Sequence, residues 1–241
     1  MDKFPLWADH IIAFLYGIAI PLYAAYKRPK ELSGKHFESH QKKQIYINNS
    51  LSLLVMAIVV FLAWVIFRRP LAALGFKQVS NISDWWWLIA IFMTLYITDT
   101  VTAIVSKENF EKNFSAIDSK TPFMPTKRQE LPLYFLMCFS AAVFEEIIFR
   151  GFLVTYCIYL FSGFKDPYLW AVIIPAIVFS IAHYYQGIKA VFKIFILSLL
   201  FGYIFIRSES LWLVIILHFV VDAAAGVLTF KYMREEKEIP G

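Results

Sequence analysis

Seven stretches of this chain, approximately residues 7–26, 49–67, 85–106, 131–161, 168–187, 189–206 and 210–230, are long and apolar enough to read as bilayer spans, each of which needs roughly 20 apolar residues. In hydrocarbon every backbone N–H and C=O must be satisfied within the protein, so spans of this length are helices. The expected architecture is an all-α, polytopic transmembrane helix bundle. Its count is seven to eight spans, because about 30 residues in 131–161 make ~45 Å of helix. That stretch reads either as one tilted helix or as a helix plus a re-entrant piece. The first stretch has the position of a signal peptide, but its flank Met1-Asp2-Lys3 is barely basic and its run is broken by Pro21 and continues to Tyr26. It reads as a retained helix.

Composition closes the other routes. The chain is 59% hydrophobic and 17% charged, against about 45–50% and 25% in soluble domains. That excludes a soluble enzyme, a disordered chain and a nucleic-acid-binding module, so no nucleic-acid partner is expected. The net charge of +5 reads as topology instead. With seven crossings, 16 Lys and Arg fall on one side, from Lys27, Arg28, Lys42 and Lys120 to Lys193 and Lys237. Six fall on the other: Lys3, Arg68, Arg69, Lys77, Lys165 and Arg207. The positive-inside rule then places the N-terminus outside and the C-terminus in the cytoplasm of a multi-pass integral membrane protein. Trp7, Trp64, Trp85–Trp87, Trp170 and Trp212 fall near the outer interface, where indoles prefer to sit.

No internal repeat or low-complexity tract is visible. Residues 1–130 read as three N-terminal spans with their loops, 131–230 as the core and 231–241 as a cytoplasmic tail. Residues 71–77 read as a short surface helix or an ordinary connector. Cys138 and Cys157 lie in apolar runs and read as packing residues rather than a disulfide framework.

The informative residues are ionisable groups inside the spans, since a charge at mid-bilayer costs about 2.5–3.5 kcal/mol even on the lenient scale. They are Asp99 in the third span; Glu145, Glu146 and Arg150 in the fourth; His183 in the fifth; and His218 and Asp222 in the seventh. Glu146 and Arg150 are i, i+4 with the acid first, the favourable order for a helix ion pair. Glu145 is turned ~100° away and would face the bundle interior. Phe179 shares a helix face with His183, and His218 shares one with Asp222. A depth ruler of ~1.5 Å per residue brings Glu145, His218 and Asp222 together near mid-bilayer, with His183 one or two turns nearer the cytoplasm. Asp99 has no motif partner and reads as satisfying a neighbouring helix by hydrogen bonding.

Glu145-Glu146-x-x-x-Arg150, Phe179-x-x-x-His183 and His218-x-x-x-Asp222, in this order on separate spans, resemble the signature of the CAAX-protease and bacteriocin-processing (CPBP) family. These are intramembrane proteases that include the Ras-converting endopeptidase of eukaryotes and many bacterial Abi proteins. The resemblance covers roughly 131–230. It implies that Glu145 activates water, that His183 binds or orients that water, and that His218 and Asp222 stabilise the oxyanion, with Glu146, Arg150 and Phe179 in support. Many members have Asn where this chain has Asp222. An ionised Asp cannot donate to an oxyanion, so Asp222 must be protonated by burial, orient His218 or ligate a metal.

The residues alone leave the chemistry open in two ways. Without a metal, Glu145 is the general base and no cofactor is needed, which is the favoured reading. With zinc, His183, His218 and either Glu145 or Asp222 would hold the ion, although the HExxH helix of many zinc proteases is absent. Ser180, three residues before His183, is the nearest serine and reads as packing. The implied partners are the lipid bilayer and a peptide or protein substrate at the membrane: a prenylated CAAX-type tail, or a bacterial peptide or membrane-anchored protein. The competing functions are a proton-coupled transporter, since buried Glu, His and Asp also build proton relays, and a non-catalytic scaffold of the same family.

Overall fold

The computed structural model describes residues 4–104 and 119–238, with side chains for 4–102 and 119–231. Among the described residues there is helix and no strand. Seven long helices follow one another: α1 (Trp7–Leu32), α2 (Ser39–Ile66), α3 (Ile82–Ile104), α4 (Arg128–Leu160), α5 (Pro167–Ala182), α6 (Ile188–Ser208) and α7 (Leu211–Glu238). Each predicted stretch lies largely on one of them. Five are long and apolar enough to cross a membrane: α1, α2, α4, α6 and the Leu211–Lys231 part of α7. The other two are α5 and α3. α5 has only 16 residues, and α3 runs up to the edge of the residues described with side chains. The loop from 107 with Lys107 and Lys112, residue Lys3, and the side chains of Arg234 and Lys237 lie outside the described residues, whereas the backbone of 231–238 simply continues α7.

The 131–161 stretch forms one continuous helix rather than a helix and a second piece. It is α-helical over Leu131–Glu146, π-helical over Ile147–Val154 and α-helical again over Thr155–Leu160. A π segment admits an extra residue and re-phases the helix face, and it is found mostly at functional sites. Here it begins directly after Glu146, and all eight of its residues are buried. α4 is therefore the axis of the bundle, packed by α2, α5 and α7. Phe152, Ile148 and Val154 from α4 meet Val60 and Trp64 of α2 and Val214 of α7 in one core.

Residues 71–77 are not a surface helix. Leu71–Leu74 form a single 3-10 turn whose Leu74 is fully buried. The turn ends at Gly75, whose φ of +90° a side chain would strain. Its carbonyl accepts from Leu211 N at 2.9 Å, which ties this connector to the start of α7.

The bundle has two distinct ends. Near one, Trp64 donates to the Pro70 carbonyl and Trp85 to the Ser80 carbonyl, Phe76 packs on Trp212, and Lys77 pairs with Glu209. At the other end of α2, buried Lys42 donates to the Met124 carbonyl at 2.8 Å, and Ser39 donates to the buried carboxylate of Glu130. Between them the outer faces carry large exposed apolar residues such as Leu51, Val55, Ile58 and Leu62. In water that would be an aggregation liability; in a bilayer it is the expected surface.

Candidate active site

Three helix features bring the ionisable residues together. α4 delivers Glu145 and Glu146 on adjacent faces. α5 starts at Asp166, whose carboxylate accepts from Leu169 N at 3.1 Å, and stops at His183. α6 and α7 form a tight hairpin through Glu209, in the left-handed conformation with φ 55°, which brings α7 back beside α4 and α6.

The fifth helix ends earlier than its apolar run. His183 Nδ1 bonds the Phe179 carbonyl at 2.8 Å, capping one of the carbonyls that a helix C-terminus leaves open. A 3-10 turn, Tyr184–Gln186, follows, and then Gly187 at φ +92°. Because a carbonyl only accepts, Nδ1 carries the proton in a neutral His183, leaving Nε2 as an acceptor.

Glu146 is wholly enclosed. Its Oε1 accepts from Arg150 Nη1 at 3.0 Å and faces His218 Nδ1 at 2.7 Å. Arg150 also donates through Nη2 to Ser198 Oγ at 2.8 Å, and its guanidinium sits over the rings of Phe179 and Phe201 at 4.9 and 5.4 Å. A connected path thus runs from Ser198 on α6 through Arg150 and Glu146 on α4 to His218 on α7. Glu146 Oε2 is buried with no hydrogen-bond partner among the described residues.

The other ring nitrogen of His218 looks toward the open side. Nε2 lies 3.8 Å from Glu145 Oε2 and 3.5 Å from Asp222 Oδ2. Glu145 is 16% exposed and accepts no hydrogen bond among the described residues. Asp222, at 37%, is the least covered acid and is not enclosed by protein as its expected burial required. Its helix is held in place by Tyr134, which donates to the Asp222 carbonyl at 3.0 Å. The same ring lies where a side chain at Gly226 would have to go. His183 joins the cluster through an aromatic contact. The Phe179 ring is 4.7 Å from His183 and 6.0 Å from His218.

All seven of the candidate residues therefore lie in one cluster, with His183 set to one side of the carboxylates. Ser180 donates to the Ile177 carbonyl at 2.8 Å and engages neither histidine. Among the described residues no three His, Cys, Asp or Glu side chains are grouped as metal ligands; Nδ1 of both histidines is engaged, and Nε2 of both points away from those bonds.

Sequence reasoning missed two contributors, Ser198 and Arg28, and named Asp99 without its partner. Ser198 is a small polar residue inside an apolar span, the sort that bonds across helices, and that was its only signal. Asp99 pairs with Lys193 across α3 and α6, a partner that spacing does not suggest. Arg28 of α1, counted only as a cytoplasmic charge, stands 5.5 Å over the Tyr185 ring beside His183.

Residues 127–224 match a protein-family model described as Rce1-like, type II CAAX prenyl endopeptidase Rce1-like. The match takes in every residue of the cluster from Glu145 to Asp222 and excludes α1, α2 and α3. No curated protein and no solved structure matches the chain.

Proposed function

We propose that this protein, a CAAX-type intramembrane protease of the Rce1-like family through residues 127–224, hydrolyses a peptide bond in a prenylated C-terminal tail with Glu145 as general base. The observation that carries this is the division of labour between adjacent glutamates. Glu146 is fully enclosed and holds His218 at Nδ1, while Glu145 faces the opening beside Nε2 with no hydrogen bond of its own among the described residues.

The chemistry follows from the atoms. Water bound near Glu145 gives it a proton as the oxygen attacks the scissile carbonyl. His183, protonated at Nδ1, accepts from that water at Nε2 and fixes its position. His218, as the imidazolium, donates Nδ1–H to the Glu146 carboxylate and presents Nε2–H to the developing oxyanion. Glu145 then returns the proton to the leaving amine. Asp222, whose Oδ2 lies 3.5 Å from Nε2, orients His218. The proposed mechanism uses Glu145 and the two histidines alone and calls on no cofactor. α3 and α5 complete seven crossings, with the N-terminus outside and the site opening toward the cytoplasm, where such tails are made.

The test is cleavage of a prenylated C-a-a-X peptide by the protein in liposomes. Wild type releases the tail, Glu145→Gln is slower by about 10²- to 10⁴-fold, and a chelator changes neither. Comparison of protein termini in membranes carrying wild type or Glu145→Gln names the natural substrate. Equal cleavage by both proteins overturns the assignment of Glu145, and chelator-sensitive wild-type activity overturns the metal-free mechanism.

A further inference from the structure

The wall of the site beyond His183 is built by a part of the chain that the family match does not cover. Arg28, near the end of α1, places its guanidinium carbon 5.5 Å from the centre of the Tyr185 ring, and that ring lies 6.0 Å from the His183 ring. Phe123 packs on the other side of Tyr185 at 6.2 Å. Lys120 reaches the same turn, its Nζ 2.6 Å from where a Cβ on Gly187 would sit. Arg28 is half-buried and forms no ion pair among the described residues, and its one hydrogen bond there is a long 3.4 Å donation to Asn49.

A half-buried guanidinium with most of its donors unspent, backed by an aromatic ring and facing a substrate site, is built to take a carboxylate or phosphate in two parallel bonds. The reach of a short peptide tail fits a carboxylate chain end. A C-a-a-X tail cut at its cysteine keeps three residues beyond the scissile bond and ends in a carboxylate. Three extended residues span roughly 10–11 Å. The two ring distances above bound the Arg28–His183 separation, and a three-residue tail covers that bound, so a chain end held at Arg28 is able to bring the cysteine carbonyl to the catalytic groups.

We propose that Arg28, on its Tyr185 platform, binds the free C-terminal carboxylate of the substrate and so sets the distance from the chain end to the bond that is cut. This rests on the proposed protease reading and adds the feature of the substrate that is recognised.

The experiment measures binding, so it does not depend on turnover. In the Glu145→Gln background, affinities are compared for one prenylated peptide with a free C-terminus and for the same peptide ending in an amide, with Arg28, Arg28→Lys and Arg28→Gln. With arginine, the free acid binds at least about tenfold tighter than the amide, and Arg28→Lys keeps part of that preference. With glutamine, the two peptides bind within about twofold of each other. Three results overturn the proposal: no preference with Arg28 present, a preference that survives Arg28→Gln, or an equal loss for both peptides, as an arginine anchored to lipid phosphate would give. Binding of neither peptide overturns it as well. Failure of wild type to cleave a peptide that binds with the expected preference would count against the protease reading alone.

Discussion

Two buried acid–arginine pairs lie far apart on this bundle, and they are finished differently. Near the tryptophan-rich end, Arg69 grips Asp9 with two bonds of 2.7 and 2.6 Å, Leu6 N adds a third at 2.7 Å, and the guanidinium is enclosed by the rings of Phe4, Trp64 and Phe67. Both carboxylate oxygens are spent. In the core, Arg150 reaches Glu146 through one oxygen only, at 3.0 Å, while the other has no partner and the bonded one also faces His218. A buried charge must be paired and hydrogen-bonded to be tolerated. The first pair meets that condition completely and acts as a clamp between α1 and the 66–71 connector. The second passes its charge on to a histidine. Completeness of pairing, rather than burial, separates the two: one pair is closed on itself, and the other stays joined to a histidine.

The widest separation is expected between Glu145→Gln and Asp9→Asn. Glu145→Gln lowers turnover by about 10²- to 10⁴-fold and leaves the thermal midpoint where it was, because Glu145 accepts no hydrogen bond among the described residues. Asp9→Asn strands the buried Arg69 and costs about 3–5 kcal/mol of stability, while turnover per folded molecule stays the same. A turnover defect in folded Asp9→Asn protein would erase the distinction.

A smaller effect sharpens it. Ser198→Ala removes the 2.8 Å bond that steadies Arg150, a loss of about 1.5 kcal/mol for a bond to a charged group. That corresponds to roughly a tenfold fall in kcat with KM unchanged, and Ser198→Thr, which keeps the hydroxyl, restores most of it. Equal changes in kcat and KM, or no rescue by threonine, would mean that Ser198 only packs.

The smallest change belongs to the pair that is least enclosed. Lys193 and Asp99 are each about half exposed, so Lys193→Met should shift stability by under about 1 kcal/mol and leave cleavage within about twofold. A larger loss of cleavage would place this α3–α6 contact in the working network.

Much of this was legible beforehand because helical periodicity is local. Spacings of four residues put Glu146 with Arg150, Phe179 with His183, and His218 with Asp222, and those pairs share faces as expected. The sequence reading paired Glu146 with Arg150 alone, but His218 also takes the same oxygen, because α7 returns beside α4 at an angle that periodicity does not contain. Asp9 and Arg69 passed unnoticed for the same reason: their bond joins residues 60 apart in the chain. The depth ruler placed Glu145, His218 and Asp222 near one another, and it could not show that His183 would end its helix.

By itself the sequence determined that the chain is helical, that it carries several apolar runs long enough to cross a membrane, and which charged residues had to find partners inside them, since hydrocarbon tolerates no unsatisfied backbone and few lone charges. Only the tertiary structure decided which partner each received. It closed Asp9 on Arg69, passed Glu146 from Arg150 to His218, left Glu145 open, and brought Arg28 from the first helix to the edge of the site. Pairing is a matter of distances between helices, and those are set by packing rather than by order along the chain.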